Sequence, residues 1–458
     1  MAAQDMEVLD RAVQSLTLGT TSTTGGTKAL EALAQSSRTD LESRARLAQP
    51  EILRNLITVI DSGLDHSVEV AELGLRCIGN ACIDNDDAQT TVTQSGFTWA
   101  SRCLASEDTD LAWLTVKVLY NICSDHDGAQ QQCYQDYIHY PLIRLYTNID
   151  SAREEDRSLL IDLLFWVSGQ RDAVLEGTPD LIRYEILVDL VSLSSLHGSI
   201  LETEDLATLL EITLTFFRDS AVQDQIVECG LVKSVWQEFI SCEKRSQQSS
   251  EAHEVLRPLS SSLLWCLSDI AAKENFSQHY NMQNDLIMHL CNTISTGRTG
   301  ADGSAGAPSS TEQRAEHISD RSIAAACQVI GNLIRKLDEN IVAELVTKRK
   351  LHEGLWQRII TPEDDSDHDI EHSIAGLLVQ LSRPSAEVRD TIGRDTNAHD
   401  ALARLCQSQT PQVKQDGIRL LRALGKDCSS NQERFGRLAA EAMMDDSQHD
   451  APMQDAPA

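Results

Sequence analysis

The chain has 458 residues, 70 Asp and Glu against 39 Lys and Arg, a formal net charge of −31 and only 4% aromatics. That length suits about three ordinary domains or one elongated array, because single cores stop growing near roughly 250–300 residues. So acidic a chain repels a phosphate backbone, which argues against a nucleic-acid partner, and no run of about 18 apolar residues offers integral membrane insertion.

Residues 1–42 read as a weakly patterned, partly disordered N-terminal segment with a Gly/Thr stretch at 18–28. The start, MAAQDMEVLD, lacks the basic-then-apolar order of a signal peptide. Twelve cysteines without a C-x-x-C spacing then read as reduced, mostly buried thiols of a cytosolic or nuclear protein, with a cytoplasmic location the expectation. From 43 to 440 an array is expected. Ala71, Leu75, Ile78 and Cys82 fall at i, i+4, i+7 and i+11, one apolar helical stripe. Leu111, Leu114, Thr115, Val118, Leu119 and Ile122 repeat it one unit later, which puts Cys82 and Cys123 on a core face.

The segments Asn80–Gln89 and Asn121–Gln130 agree at six of ten positions with an offset of 41. Weaker copies follow at Leu164–Ser168, Leu214–Asp219 and Leu264–Asp269, a third copy with Asn at Ile330-Gly331-Asn332, and further weak copies at Leu377–Leu381 and Leu420–Leu424. Gly96, Gly230 and Gly354 each precede an apolar stretch (Phe97–Leu104, Leu231–Ile240, Leu355–Ile360) and are expected at chain reversals. The Gly/Ala/Ser-rich stretch 296–316 reads as a disordered insert within the array, and 441–458 as an acidic disordered tail. A helical period of roughly 40–47 residues with no alternating strand pattern predicts an all-α, armadillo-type superhelical solenoid of about eight repeats.

Catalytic signatures are missing. Gly25-Gly26-Thr27-Lys28 lacks the first Gly of a phosphate-binding loop, and neither H-E-x-x-H nor G-x-S-x-G occurs. Asp84-Asn85-Asp86-Asp87, Asp125-His126-Asp127 and Asp367-His368-Asp369 look at first like metal-ligand clusters. A calcium loop needs Glu at its twelfth position, yet twelve from Asp84 is Ser95 and twelve from Asp125 is Asp136. We therefore expect no metal, no cofactor and no catalysis; the Asp and Asn residues suit turns and present charge.

Function then falls to a surface. Asn80, Asn121 and Asn332 recur beside core positions of one helix. A carboxamide donates and accepts, so such a row is able to clamp an extended peptide, or alternatively to link neighbouring helices. Residues 61–240 hold 31 acidic and 10 basic side chains, a net of −21, leaving −10 for the rest. Such a field steers a multiply basic ligand. The expected partner-binding residues are Asn80, Asp84, Asn121, Asp125, Asp269 and Asn332.

Gly79-Asn80-Ala81-Cys82-Ile83-Asp84-Asn85 resembles the Gly-Asn-Leu-Cys-x-Asp-Asn signature in the armadillo repeats of SmgGDS-type GDP dissociation stimulators, and Asn121-Ile122-Cys123-Ser124-Asp125 is similar. The resemblance implies a cytosolic binder and chaperone of Rho-, Ras- and Rap-type small GTPases with polybasic, prenylated tails. An acidic surface would take the basic segment and an apolar groove the lipid, and some members of that family promote GDP release. A generic armadillo scaffold without a GTPase partner is the alternative. An importin-α-type groove fits poorly, because Arg76, Lys117 and Gln328 stand where its Trp-x-x-x-Asn pattern needs Trp; only Trp265-x-x-x-Asp269 comes near. The sequence leaves the oligomeric state open.

Overall fold

The computed structural model describes residues 24–148, 156–178, 181–196, 201–296, 319–361 and 368–449. The chain divides into two compact units, Met1–Val222 and Gln223–Ala458. Among the described residues there is no strand, and no helix is long and apolar enough to cross a membrane.

Unit 1 opens with α1 (Thr24–Ser37), followed by helices in threes. These are α2 (Leu41–Leu47), α3 (Pro50–His66) and α4 (Val68–Cys82); α5 (Asp86–Gln94), α6 (Thr98–Leu104) and α7 (Thr109–Cys123); α8 (Asp127–Gln135), α9 (His139–Thr147) and α10 (Arg157–Gly169); α11 (Arg171–Leu175), α12 (Tyr184–Leu190) and α13 (Thr203–Phe217). Helix starts are locally specified. Asp40, Asn85 and Asp108 accept backbone N–H groups of the first turns of α2, α5 and α7, and Pro50 opens α3 where no N–H partner is needed.

Third helices pack on third helices, α4 on α7, α7 on α10 and α10 on α13, while second helices stack as α3, α6, α9 and α12. Ala71, Leu75, Ile78 and Cys82 are wholly buried between these layers, as are Leu111, Thr115, Leu119, Ile122 and Cys123. Burial pushes the Cys82 thiol up to about 12, so it stays protonated as a small apolar filler.

The division between units falls inside α14 (Ser220–Glu228). Unit 2 continues with α15 (Val232–Ser246) and α16 (Ser250–Ala272); α17 (Phe276–His279), α18 (Asp285–Thr296) and α19 (Asp320–Ile334); α20 (Glu339–Thr347), α21 (Leu351–Ile360) and α22 (His368–Leu381); α23 (Ala386–Gly393), α24 (Ala398–Cys406) and α25 (Pro411–Gly425), closed by α26 (Ser429–His449). Its third helices stack as α16, α19, α22 and α25, with α18, α21 and α24 as the second row. The fold is an all-α, armadillo-type solenoid, and the described helices group into about eight three-helix repeats.

Three local findings refine the sequence reading. Helix α1 begins at Thr24, inside the Gly/Thr stretch, and buries Leu30 and Leu33. Gly96 (φ 75°) and Gly230 (φ 74°) occupy reversals as expected, but Gly354 does not. It lies inside α21, and the reversal falls on Lys350 at φ 54°. Gly354 meets a different need, because a Cβ there would stand 2.8 Å from the carbonyl oxygen of Ile294. Helix α26 runs to His449, into the segment read as a tail. The insert expected at 296–316 lies outside the described residues except for Thr296, and so do 1–23 and 450–458.

Candidate functional site

In a stacked repeat, three sides of each third helix are buried by its own repeat and by its neighbours, so one stripe remains for ligands. Aligning α4, α7, α10 and α13 by their buried positions places Arg76, Lys117, Asp162 and Glu211 at one register. Asn80, Asn121, Trp166 and Thr215 share the next, one turn on. The sign of charge therefore changes along unit 1. The two cations are already matched, Arg76 to Glu72 at 3.1 Å and Lys117 to Asp156 at 2.9 Å.

On α10 and α13 the carboxylates are partly buried, and one feels the charge of the other. Burial lifts the Asp162 carboxyl above the ordinary carboxylate range. Burial and then the neighbouring Asp162 charge lift that of Asp205, although Ser158 donates to its Oδ2 at 3.5 Å. Phe165, 40% exposed, follows Asp162 by one turn, and Trp166 lies against Tyr120 with ring centroids 4.8 Å apart. The stripe thus offers Asp162 beside aromatic surface, with Asp205 near enough to feel its charge. A ligand carrying cations and apolar groups matches the carboxylates and covers the aromatic surface.

The structure places the six sequence-derived residues differently from one another. Asn80 Nδ2 donates to Ala34 O at 3.1 Å and Ser37 Oγ at 2.9 Å. Asn332 Nδ2 donates to Ser268 O at 2.9 Å and Ser268 Oγ at 3.1 Å. Both amide hydrogens of each are engaged with the preceding layer, which leaves only the carboxamide oxygen for a ligand. Asn121 is half-buried and carries no such side-chain bond among the described residues. Asp84 and Asp125 are exposed at the turns after α4 and α7, in the left-handed region at φ 53° and 55°. Asp269 is exposed on α16 one turn after Trp265, which is 62% exposed. Asn332 therefore sits next to Asp269 through Ser268, all within unit 2, and the other four belong to unit 1.

Sequence reasoning noticed Gln89 and Gln130 as repeat matches but missed their task. Gln89 Nε2 donates to Cys82 O at 3.2 Å and to Asn121 O at 2.9 Å, and Gln130 Nε2 to Cys123 O at 2.8 Å. Late in unit 2, Arg389 donates to Ser382 O and Asn431 to Leu424 O, again seven residues back. Each side chain satisfies a carbonyl that the end of a third helix leaves unpaired. The signal was available as a polar residue at a fixed place in the following helix.

Among the described residues the Asp125 side chain makes no bond that would hold its strained turn. Asp125→Gly is therefore expected to leave the thermal midpoint unchanged or to raise it, by up to about 1 kcal/mol of stability, since Gly adopts this backbone without the penalty of a Cβ. A calorimetric midpoint lower by several degrees would instead assign the side chain a structural task.

The family described as the BEM4 N-terminal domain matches residues 7–273. Among solved structures, an engineered protein is 15% identical with a TM-score of 0.46, covering 94% of this chain and 92% of its own. A designed armadillo repeat protein is 17% identical with a TM-score of 0.38, covering 56% of this chain and 99% of its own. Another designed armadillo repeat protein, solved in complex with the peptide (KR)4, is 17% identical with a TM-score of 0.36, covering 56% and 98%. No curated protein matches the chain.

Proposed function

This chain belongs to the BEM4-like N-terminal domain family, and from that premise we propose that it is a protein-binding scaffold whose partners are small GTPases of the Rho, Ras or Rap type. The third-helix stripe of unit 1 takes the polybasic segment of the GTPase tail, and its aromatic surface lies against the neighbouring apolar or prenylated end. The observation that carries this reading is the pair Asp162 and Asp205, two partly buried carboxylates both raised by burial, with the Asp162 charge adding to the cost of ionising Asp205 and with Phe165 and Trp166 alongside. The resemblance of Asn80–Asn85 and Asn121–Asp125 to the GDP dissociation stimulators supports the choice of partner.

The chemistry of binding is Coulombic and apolar. Lysine ammonium groups replace water around the carboxylates, and each exchange lowers the repulsion already present. Asn121 supplies an uncommitted carboxamide for the tail backbone, Asn80 an acceptor oxygen, and Asp84 and Asp125 add charge at the edge of the stripe. Release of GDP, where it follows, needs no acid or base: a bound scaffold that favours an open switch conformation lowers nucleotide affinity by its differential binding.

The test compares one GTPase in three forms: prenylated, unprenylated and tail-deleted. Affinity is expected to fall in that order, and to weaken for the first two as salt rises from 50 to about 300 mM, because screening shortens the reach of exposed charges. Equal affinity for all three forms with no salt dependence would refute tail recognition. Failure of any such GTPase to bind would leave a scaffold with a different partner.

A further inference from the structure

We propose that unit 2 carries a site for a zinc-class divalent cation, formed by His352, Glu353 and Asp395. One ligand atom from each of these residues lies within 4.8 Å of the others. His352 and Glu353 stand in the first turn of α21, and Asp395 in the connection between α23 and α24, one repeat later.

A second observation points to a ligand. His352 is only 4% exposed, and its Nδ1 has no hydrogen-bond partner among the described residues. A buried polar atom without a partner costs about 1–3 kcal/mol. A neutral imidazole keeps one ring nitrogen as a lone-pair ligand. Asp395 Oδ1 accepts the backbone N–H of Asn397 at 2.8 Å, which orients the carboxylate and leaves Oδ2 for a cation.

The elements that would hold the ion are already fixed. Trp356 Nε1 donates to Ile392 O at 3.1 Å, and Asn397 Nδ2 to Gln357 Oε1 at 3.1 Å. Closure from this geometry needs only side-chain rotation, since zinc bonds of about 2.0–2.2 Å set tetrahedral ligand atoms roughly 3.4 Å apart.

One imidazole and two carboxylates make a mixed nitrogen and oxygen set. It suits zinc, with water in the fourth place, rather than calcium or magnesium, which take oxygen ligands. Two features oppose the ion: Lys350, whose Nζ lies 3.0 Å from Glu353 Oε1, and the positive end of the α21 dipole. The two carboxylates outweigh them in charge, and they predict a variant with a gain. Lys350 sits in the left-handed region, so Lys350→Gly both removes the competing cation and suits the backbone.

The full chain, stripped with chelator, is titrated with Zn²⁺ and, as a spectroscopic probe, Co²⁺. The site predicts one equivalent bound, a raised thermal midpoint and the intense visible bands of four-coordinate Co²⁺. Asp395→Asn, which keeps the Oδ1 acceptor, should weaken binding more than about tenfold, and Lys350→Gly should tighten it. The inference is overturned by equal affinity in wild type and Asp395→Asn, by weak uptake without stoichiometry (an adventitious ion only), or by a Co²⁺ spectrum of the hexaaqua type.

Discussion

Replacing Asp162 and Asp205 together by Asn is expected to weaken binding of a basic-tailed GTPase by at least about tenfold and to remove most of its salt dependence, because the proposed attraction of the tail for this stripe is Coulombic. The same change should stabilise the free protein. Both carboxyls lie above their ordinary value of 3.8 in the folded state. Between that value and the raised ones the folded chain holds more protons than the unfolded chain, so stability falls as pH rises through this window. At pH 7 the destabilisation is fully present, and the neutral amides abolish it. Surface plasmon resonance at two salt concentrations reads the first effect, and thermal melts of wild type and the double variant at pH 7 read the second. Unchanged affinity together with a lower melting point would show that the carboxylates serve the fold instead.

Trp356→Ala is expected to cost about 3–5 kcal/mol, the usual loss for a fully buried aromatic side chain. Trp356 is 0% exposed, and truncation also strands the Ile392 carbonyl that its indole N–H satisfies at 3.1 Å. Trp356→Phe retains most of the volume and separates the two contributions, leaving a loss of about 1 kcal/mol for the hydrogen bond. Because the chain has two units, the readout is amide exchange in α21 and α24 under mild urea, where Trp356→Ala should lower protection in unit 2 first. Protection equal to wild type in both helices would refute a keystone position for the indole.

The repeat was legible because its apolar stripe is local: Ala71, Leu75, Ile78 and Cys82 announce a helix and its buried face within three turns, and all four are wholly buried. The Asn row was legible as a recurrence but not as a geometry. Whether Asn80 points at a ligand or at Ser37 depends on a helix 43 residues away, which a single sequence does not pair with it. The aromatic part of the stripe stayed hidden for a related reason. Trp166 holds the register of Asn121 across a connection of altered length, so searching for a repeated Asn passed over it. Gly354 misled because a glycine before an apolar run reads the same whether it turns the chain or admits a neighbouring backbone. His352, Glu353 and Asp395 fall in no spacing pattern, since the third residue arrives from the following repeat.

The change of sign along unit 1, from Arg76 and Lys117 to Asp162 and Glu211, has a directional consequence. A stripe of uniform charge would accept a basic tail in either orientation. On the proposed reading, carboxylates stand at this register only on α10 and α13, while Arg76 and Lys117 are already matched by Glu72 and Asp156, so a tail with its lysines at one end is favoured when those lysines lie over α10 and α13. Reversing the order of residues in a synthetic tail would then change its fit without changing its composition.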